Sequence, residues 1–511
     1  MNARRLLEGC GIGIALTLPY LWQQLAPAHV EGLYLRALPV STVVSGVAIC
    51  VAAAALLAWA LLCILDRIDP AAASPAWMLL TAIVPAVLLH SVVSLAELNL
   101  RLPSTAVLAA LLLAPALLAM LFFPAGYRRL VVAVRWMYLC AGASILWVLP
   151  QLVILSMHRV PADAPAFDHR AQAADALLAP RARIVWILLD ELSYDQTFAH
   201  RQPEIALPAF DALRAESVSF SNVRPAGYFT DNILPALLRG RPVTAIRSSL
   251  SGNLWVRESG GSPWQRFDEQ ATLFADAQRL GWPTAIAGWF NPYCRLFAHT
   301  VDACFWTPET NLFPGHMNAA LSAWQNALAP LHAKLRGSAE LNLHDEHRTA
   351  YAQLMEHALL DLADPSLRFL FFHLPVPHPP GIYNRATGAM RDGGSYLDNL
   401  VLADRTLQIL NAAIARSPAA AETIVIVSSD HSLRVPKWRA GMYWTEEDER
   451  AFQNHFDPRP VLLIHFPGEQ DAETIAAPFP ELRTHDAIEA MLAGRMQSPK
   501  DLNAWLSSAA P

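Results

Sequence analysis

The feature that most constrains this chain is how unevenly its charge is spread. Residues 1–155 carry eight Arg, no Lys and five acids, so only 13 of 155 are charged. The remaining 356 carry 69, about 19%, the level of a soluble domain. A segment this poor in charge cannot form the surface of an ordinary water-soluble domain. With 54% hydrophobic residues overall, the chain divides into a membrane half and a globular half. The net charge is +3 for the first part and −9 for the second. An acidic globular part without a Lys/Arg cluster argues against nucleic acid as a partner.

A membrane span needs roughly 20 mostly apolar residues. Five stretches meet or approach this: about 9–25, 41–65, 76–96, 104–124 and 135–157. The first carries Pro19 and follows Arg4 and Arg5, so a signal peptide is its alternative. Arg4, Arg5, Arg67, Arg128, Arg129 and Arg135 fall on one side of the five, and Arg36 and Arg101 on the other. The positive-inside rule then puts the N-terminus in the cytoplasm and everything after about 157 outside it. The expectation is a multi-pass protein of a bacterial-type inner membrane with its globular domain on the periplasmic side. Gly9, Gly11 and Gly13 precede no strand–helix unit, so they read as helix-packing glycines and not a nucleotide loop.

The expected domains are a transmembrane helical domain over 1–157, a linker over 158–183 with one short helix near 170–179, and an α/β domain over 184–511. Its signature is a set of short continuous apolar runs: 184–189, 368–372, 423–427 and 461–466. Such runs mark strands buried on both faces. Helical patterns at 208–216, 270–280, 346–363 and 396–416 alternate with them, which predicts a mostly parallel central sheet. Of six cysteines, only Cys294 and Cys304 lie in this domain. An even pair in an exported domain predicts a disulfide, with two buried thiols as the alternative.

Ligands of open α/β sheets bind beyond the carboxyl ends of the strands. Asp190 and Glu191 follow the first run, His373 and His378 the second, Asp430 and His431 the third. Each alone reads as well as a strand-end cap. Together, carboxylates and imidazole predict a divalent-metal site, for Zn²⁺ or Mn²⁺. Thr230, just before an apolar stretch, reads as a helix N-cap and as a candidate nucleophile, its hydroxyl at the positive end of the helix dipole.

These residues give residues 182–495 a resemblance to the alkaline phosphatase/sulfatase superfamily. The first strand runs into Asp-Glu-Leu, similar to the sulfatase Asp-Asp-Leu; Thr230 stands eleven residues before the Gly-Arg at 240–241; and Ser-Ser-Asp-His matches the later metal motif. TLFADAQRLGWPTAIAGW resembles the helix–turn–strand that follows the nucleophile. The resemblance implies metal ligation by Asp190, Glu191, Asp430, His431 and the Thr230 oxygen. Thr cannot mature to formylglycine, and Asn232 and Leu234 replace the Pro and Arg of the sulfatase motif. Five spans before a domain with a Thr nucleophile resemble instead the phosphoethanolamine transferases and lipoteichoic acid synthases. That likeness implies transfer of a phospho-headgroup from a membrane lipid to a cell-envelope acceptor through a phospho-threonine. It gives His378 a role as phosphate ligand or acid. Lys437 and Arg439 are candidate phosphate-binding cations, with ordinary surface charge as the alternative, and His455 is the nearest counterpart of a later substrate-site histidine. The competing readings are a hydrolase of phosphate or sulfate esters and a non-catalytic envelope binding module.

Overall fold

The computed structural model describes residues 3–25, 40–69, 75–95, 105–157, 166–168, 182–249, 253–307, 342–439, 441, 443–452, 456–468 and 471–508. Most of the linker, the predicted helix near 170–179 and His455 lie outside the described residues.

The N-terminal half is helical: α1 (Ala3–Leu25), α2 (Val40–Ile68), α3 (Pro75–Leu95), α4 (Thr105–Phe122), α5 (Pro124–Ala143) and α6 (Ile145–Ser156). Among the described residues two segments, Val44–Ile68 and Pro124–Ser156, are long and apolar enough to cross a membrane. Ala76–Leu89 and Val107–Phe122 are shorter apolar helices. This corrects the expectation of five separate spans. The loop expected around Arg128 and Arg129 is helical, because Pro124 is accepted at the start of α5, where its missing N–H costs nothing.

The glycine reading holds. A Cβ on Gly11 would lie 1.8 Å from the Tyr138 carbonyl oxygen, and one on Gly9 or Gly13 would meet the α2 backbone at Ala55 at 2.8 Å. Only glycine allows α1 this close to α2 and α5. The contact also closes over charge. Glu8 is fully buried and accepts from Arg135 Nη2 at 3.0 Å and Arg5 Nη1 at 2.5 Å, while Asp66 pairs with the same two arginines. The start of α1 and the end of α2 therefore meet at one level beside Arg135.

The second half is built on a nine-stranded sheet. In chain order its strands are β1 (Ala166–Asp168), β2 (Arg183–Leu189), β3 (Val218–Phe220), β4 (Thr284–Trp289), β5 (Ala303–Thr307), β6 (Phe369–Leu374), β7 (Thr423–Ser428), β8 (Leu462–His465) and β9 (Glu473–Ile475), and they lie β1-β5-β4-β6-β2-β7-β8-β3-β9. The central five, β5 to β7, are parallel. The last apolar run forms β8, which pairs antiparallel with β7.

Helices cover both faces. Ile184, Trp186 and Leu188 face one core with α8 (Thr230–Arg239), α9 (Leu273–Arg279) and α12 (Arg483–Leu492). Val185, Ile187 and Leu189 face the other with α7 (Pro208–Ala215), α10 (Asn342–Ala363) and α11 (Tyr396–Arg416). Period-2 alternation along β2 thus feeds two separate cores, which is why every residue of the run is apolar. At the start of β2 the buried Arg183 guanidinium donates to the carbonyls of Asp361 and Leu362, satisfying the end of α10. Cys294 and Cys304 form a disulfide, tying the turn after β4 to β5.

Candidate functional site

In-register parallel pairing makes the site. Thr423 pairs with Arg183 and Phe369 with Ile184, so β2, β6 and β7 end level, at the same edge of the sheet. Asp190 follows β2 directly, His373 is the second-to-last residue of β6, and Asp430 and His431 stand just past β7. All four are buried. Opposite them, α8 begins at Thr230.

Thr230 is not the helix cap. Phe229 holds that position, with no capping side-chain bond. The Thr230 hydroxyl instead donates to Asp430 Oδ2 at 2.8 Å and lies 3.2 Å from His431 Nε2. It keeps its place at the positive end of α8, where a developing negative charge is stabilised. The loop before it is held by Glu481, whose Oε2 accepts from the Ala226 N–H at 2.6 Å. Burial raises the Glu481 carboxyl well above the usual carboxylate range, and its negative neighbour Asp430 adds to this.

Asp190, Asp430 and His431 offer ligand atoms that all lie within 4.8 Å of one another. The His431 Nδ1 lies 3.0 Å from the Ser432 carbonyl, which makes it the protonated nitrogen and leaves a lone pair on Nε2. That lone pair faces Asp430 Oδ2 at 3.2 Å and Asp190 Oδ1 at 4.0 Å. Burial, aided by the Arg434 guanidinium, lowers the His431 imidazole to about 3, so it is neutral at physiological pH. A lone-pair nitrogen set against two carboxylates is a donor set that requires a cation, and its hard oxygens with one imidazole fit a divalent metal. Behind Asp190 sits His373: Nε2 is 3.4 Å from Asp190 Oδ2, and Nδ1 is 2.8 Å from the Tyr293 hydroxyl. This is the hydrogen-bonded backing that orients a ligating carboxylate.

Glu191 has other partners. Its Oε1 accepts from Arg434 Nε at 2.5 Å and its Oε2 from Trp438 Nε1 at 2.6 Å. Its side chain is held by these two donors, and it is not part of the Asp190, Asp430 and His431 cluster. His378 is buried between Trp289 and Trp438, ring centroids 4.9 and 5.1 Å away, with Nε2 3.5 Å from Arg434 Nη2. Burial first, then the cations Arg434 and Lys437, hold its imidazole well below the usual range. Lys437 is exposed over the Trp438 ring at 4.8 Å, close enough to influence His378, His431 and Asp231. Arg439 is turned elsewhere, to Glu449 at 2.9 Å and over the Trp444 ring.

Sequence reasoning missed Arg434 and Trp438, and gave His373 a strand end but no role. Arg434 lies three residues past His431 in the same loop. Nothing in its sequence context distinguishes it from Lys437 or Arg439; only burial does.

A mostly parallel α/β sheet whose strand ends bring Asp, His and a helix-N-terminal Thr hydroxyl into one buried cluster is the architecture of the alkaline phosphatase/sulfatase superfamily. The chain belongs to the sulfatase family: the family model Sulfatase matches residues 182–486, more than half of the chain, and defines it as an enzyme. Among solved structures, the phosphonate monoester hydrolase of Agrobacterium radiobacter is 16% identical over 61% of this chain and 74% of its own, with a TM-score of 0.37. The phosphonate monoester hydrolase SpPMH from Silicibacter pomeroyi is 15% identical over 65% and 77%, with a TM-score of 0.39. Ps i-CgsB in complex with k-i-k-neocarrahexaose is 17% identical over 63% and 74%, with a TM-score of 0.42. At such TM-scores these likenesses add nothing to the family match. No curated protein matches the chain significantly.

Proposed function

We propose that this chain is a membrane-anchored, metal-dependent phosphotransferase that moves a phospho-headgroup from a lipid donor to a cell-envelope acceptor through a phospho-threonine at Thr230. The observation that carries this reading is the Thr230 hydroxyl, buried at a helix N-terminus 2.8 Å from Asp430 Oδ2 and 3.2 Å from His431 Nε2. Thr cannot be matured to formylglycine, so in this chain the hydroxyl itself is the nucleophile.

Asp190, Asp430 and His431, with the Thr230 oxygen, would hold a Zn²⁺ or Mn²⁺ ion. When bound, a divalent cation there supplies positive charge to the attacking and phosphoryl oxygens. Thr230 Oγ1 attacks the phosphorus in line, and its proton leaves along the hydrogen bond to Asp430. The bond to the donor's alcohol oxygen breaks, that oxygen takes up the proton that Thr230 gave to Asp430, and the headgroup stays on Thr230. His378, neutral because it is buried, donates an N–H to a phosphoryl oxygen; burial favours this role over that of a proton reservoir. Lys437 adds charge at the rim. An acceptor hydroxyl then takes the group and restores Thr230.

The helical half supports membrane attachment, with α1 to α6 as a multi-pass anchor in a bacterial-type inner membrane, the N-terminus cytoplasmic and the catalytic domain periplasmic. The Cys294–Cys304 disulfide suits that oxidising side. A second reading, a hydrolase with water as the acceptor, is favoured by the family match itself.

The test is intact-protein mass spectrometry with tryptic mapping after incubation with phosphatidylethanolamine or phosphatidylglycerol. An adduct on Thr230 is expected, its mass naming the group. Headgroup release without any acceptor would establish the hydrolase instead, and no adduct with metal bound and the fold intact would refute the covalent route.

A further inference from the structure

The chain leaves α8 into a small antiparallel sheet of Ala245–Ser248, Leu254–Arg257 and Gln265–Arg266, which takes no part in the phosphoryl step. Side chains along a strand alternate between faces. Leu254 and Val256 are buried in the core that holds α8, and Ile246 packs against it. Arg247, Trp255 and Arg257 therefore share the outer face. Register sets Arg247 opposite Trp255 and Trp255 opposite Arg266, a row of Arg, Trp and Arg across the three strands. Two strand spacings, about 10 Å, separate the arginines of that row. Trp264, just before the last strand, completes the face. The Arg247 guanidinium lies 5.6 Å from the Trp255 ring centroid and 4.4 Å from that of Trp264, and the Arg257 guanidinium lies 4.8 Å from Trp264. These four residues are half-buried, and Arg266 is exposed.

The charge on this face is uncompensated. Residues 239–266 hold five arginines and one acid, in a globular part whose net charge is −9. That acid, Glu258, goes to Arg239 and Arg241, at 3.4 and 3.7 Å. Asp268 and Glu269, just beyond, accept from Gln270 and from His299 with Thr300. Among the described residues no carboxylate pairs with Arg247, Arg257 or Arg266; Arg266 Nη2 donates to the Asn253 side-chain oxygen at 3.1 Å. Like charges gathered on one face cost stability until a counter-charge neutralises them. A guanidinium with its flat side on an indole is held in place and keeps its in-plane N–H edge for oxyanions. With guanidiniums over both indoles, the face lacks the bare apolar side chains that enter a bilayer. Several fixed cations spread over three strands match a chain of anions better than a single ion. The sheet is also tied to the nucleophile helix. Asn232, two residues past Thr230, donates to the Thr244 carbonyl at 3.4 Å, and the Thr244 N–H donates to the Arg257 carbonyl at 2.8 Å.

We propose that this Arg–Trp face binds an extended polymer carrying tetrahedral oxyanions, phosphate or sulfate esters, and so holds the acceptor chain alongside the Thr230 site. The acceptor role rests on the transferase reading; the binding site does not.

The experiment uses the full chain in phosphatidylcholine nanodiscs at about 0.15 M salt, where screening over about 8 Å suppresses simple repulsion between a probe and the bilayer. Fluorescein-labelled dextran sulfate and polyphosphate are the probes, uncharged dextran is the control, and anisotropy reads the affinity. A charged probe is expected to bind about tenfold or more tighter than dextran. Its log affinity should fall with log salt at a slope of about −2, the value for three contacts. Arg266→Gln leaves the stack intact and should weaken binding by about tenfold and flatten the slope by about 0.7. Arg247→Gln, within the stack, should do the same. Equal affinity for charged and uncharged dextran, or unchanged affinity in folded Arg266→Gln, would overturn the proposal. So would loss of binding in nanodiscs made with phosphatidylglycerol, which would give the face to the bilayer. Arg266-dependent binding in a chain that forms no Thr230 adduct would sink the transferase reading and leave the binding site standing; an adduct without such binding would do the reverse.

Discussion

Replacing Thr230 by Ala removes one hydroxyl and one methyl group, which makes its consequences calculable. The residue is 5% exposed and its hydroxyl makes two contacts, to Asp430 Oδ2 and His431 Nε2. Asp430 keeps its other partners, the N–H groups of Glu191 and His431 on Oδ1. In metal-free protein the substitution therefore loses one hydrogen bond to a charged acceptor, about 1.5–3 kcal/mol, and one buried methyl, about 1 kcal/mol. Asp190, Asp430 and His431 remain, so metal content should stay near the wild-type level. Turnover should fall by at least about 10³-fold, because no other hydroxyl replaces the nucleophile. Thr230→Ser keeps the oxygen and removes a buried methyl, costing about 1 kcal/mol, and should retain measurable turnover with an adduct on Ser. The assay is headgroup release from a fluorescent lipid analogue, paired with metal analysis and denaturant unfolding. Thr230→Ala turning over within tenfold of wild type, with metal bound, would refute the nucleophile assignment.

Three further outcomes follow from the structure. His347 is buried beside His344 and His378, and burial lowers its imidazole to about 4; it is neutral in the fold but protonates near 6.5 when unfolded, so stability is lost as pH falls from about 6.5 to 4. His347→Gln should reduce that acid slope by up to about 1.4 kcal/mol per pH unit in pH-dependent denaturation, and an unchanged slope would contradict the buried neutral state. Cys304→Ser opens a short loop and should cost about 2.5–3 kcal/mol in chemical unfolding under oxidising conditions, whereas equal midpoints would show the bridge to be energetically idle. Gly11→Leu would drive a side chain into the Tyr138 carbonyl and should lower the melting temperature of the helical half in detergent; a neutral result would argue against the close α1–α5 contact.

Much of this was legible along the chain. The runs at 184–189, 368–372 and 423–427 are β2, β6 and β7 to within two residues, because a strand buried on both faces cannot hide its composition. The helices expected at 208–216 and 396–416 appear at Pro208–Ala215 and Tyr396–Arg416 for the analogous reason, an apolar period bounded by Pro208 and the Ser395 capping box. Asp190, Asp430 and His431 could be picked out because parallel strands in register end together. Span number was less legible, since hydropathy does not show that a proline begins a helix instead of ending a loop, as Pro124 does at the start of α5.

The sequence by itself determined which elements form and which strand ends carry carboxylate and imidazole, because both are local properties of period, length and residue type. Only the tertiary structure decided what each side chain does. Glu191 reads as a ligand beside Asp190, yet a left-handed backbone turns it to Arg434 and Trp438. Thr230 reads as a cap, yet its hydroxyl goes to Asp430, 200 residues away in the chain. Arg434, Lys437 and Arg439 read alike within six residues, yet one is buried beside His378, one lies over Trp438 and one is paired with Glu449. Partner choice depends on direction and burial, which arise from contacts between segments far apart in sequence, and no local pattern encodes them.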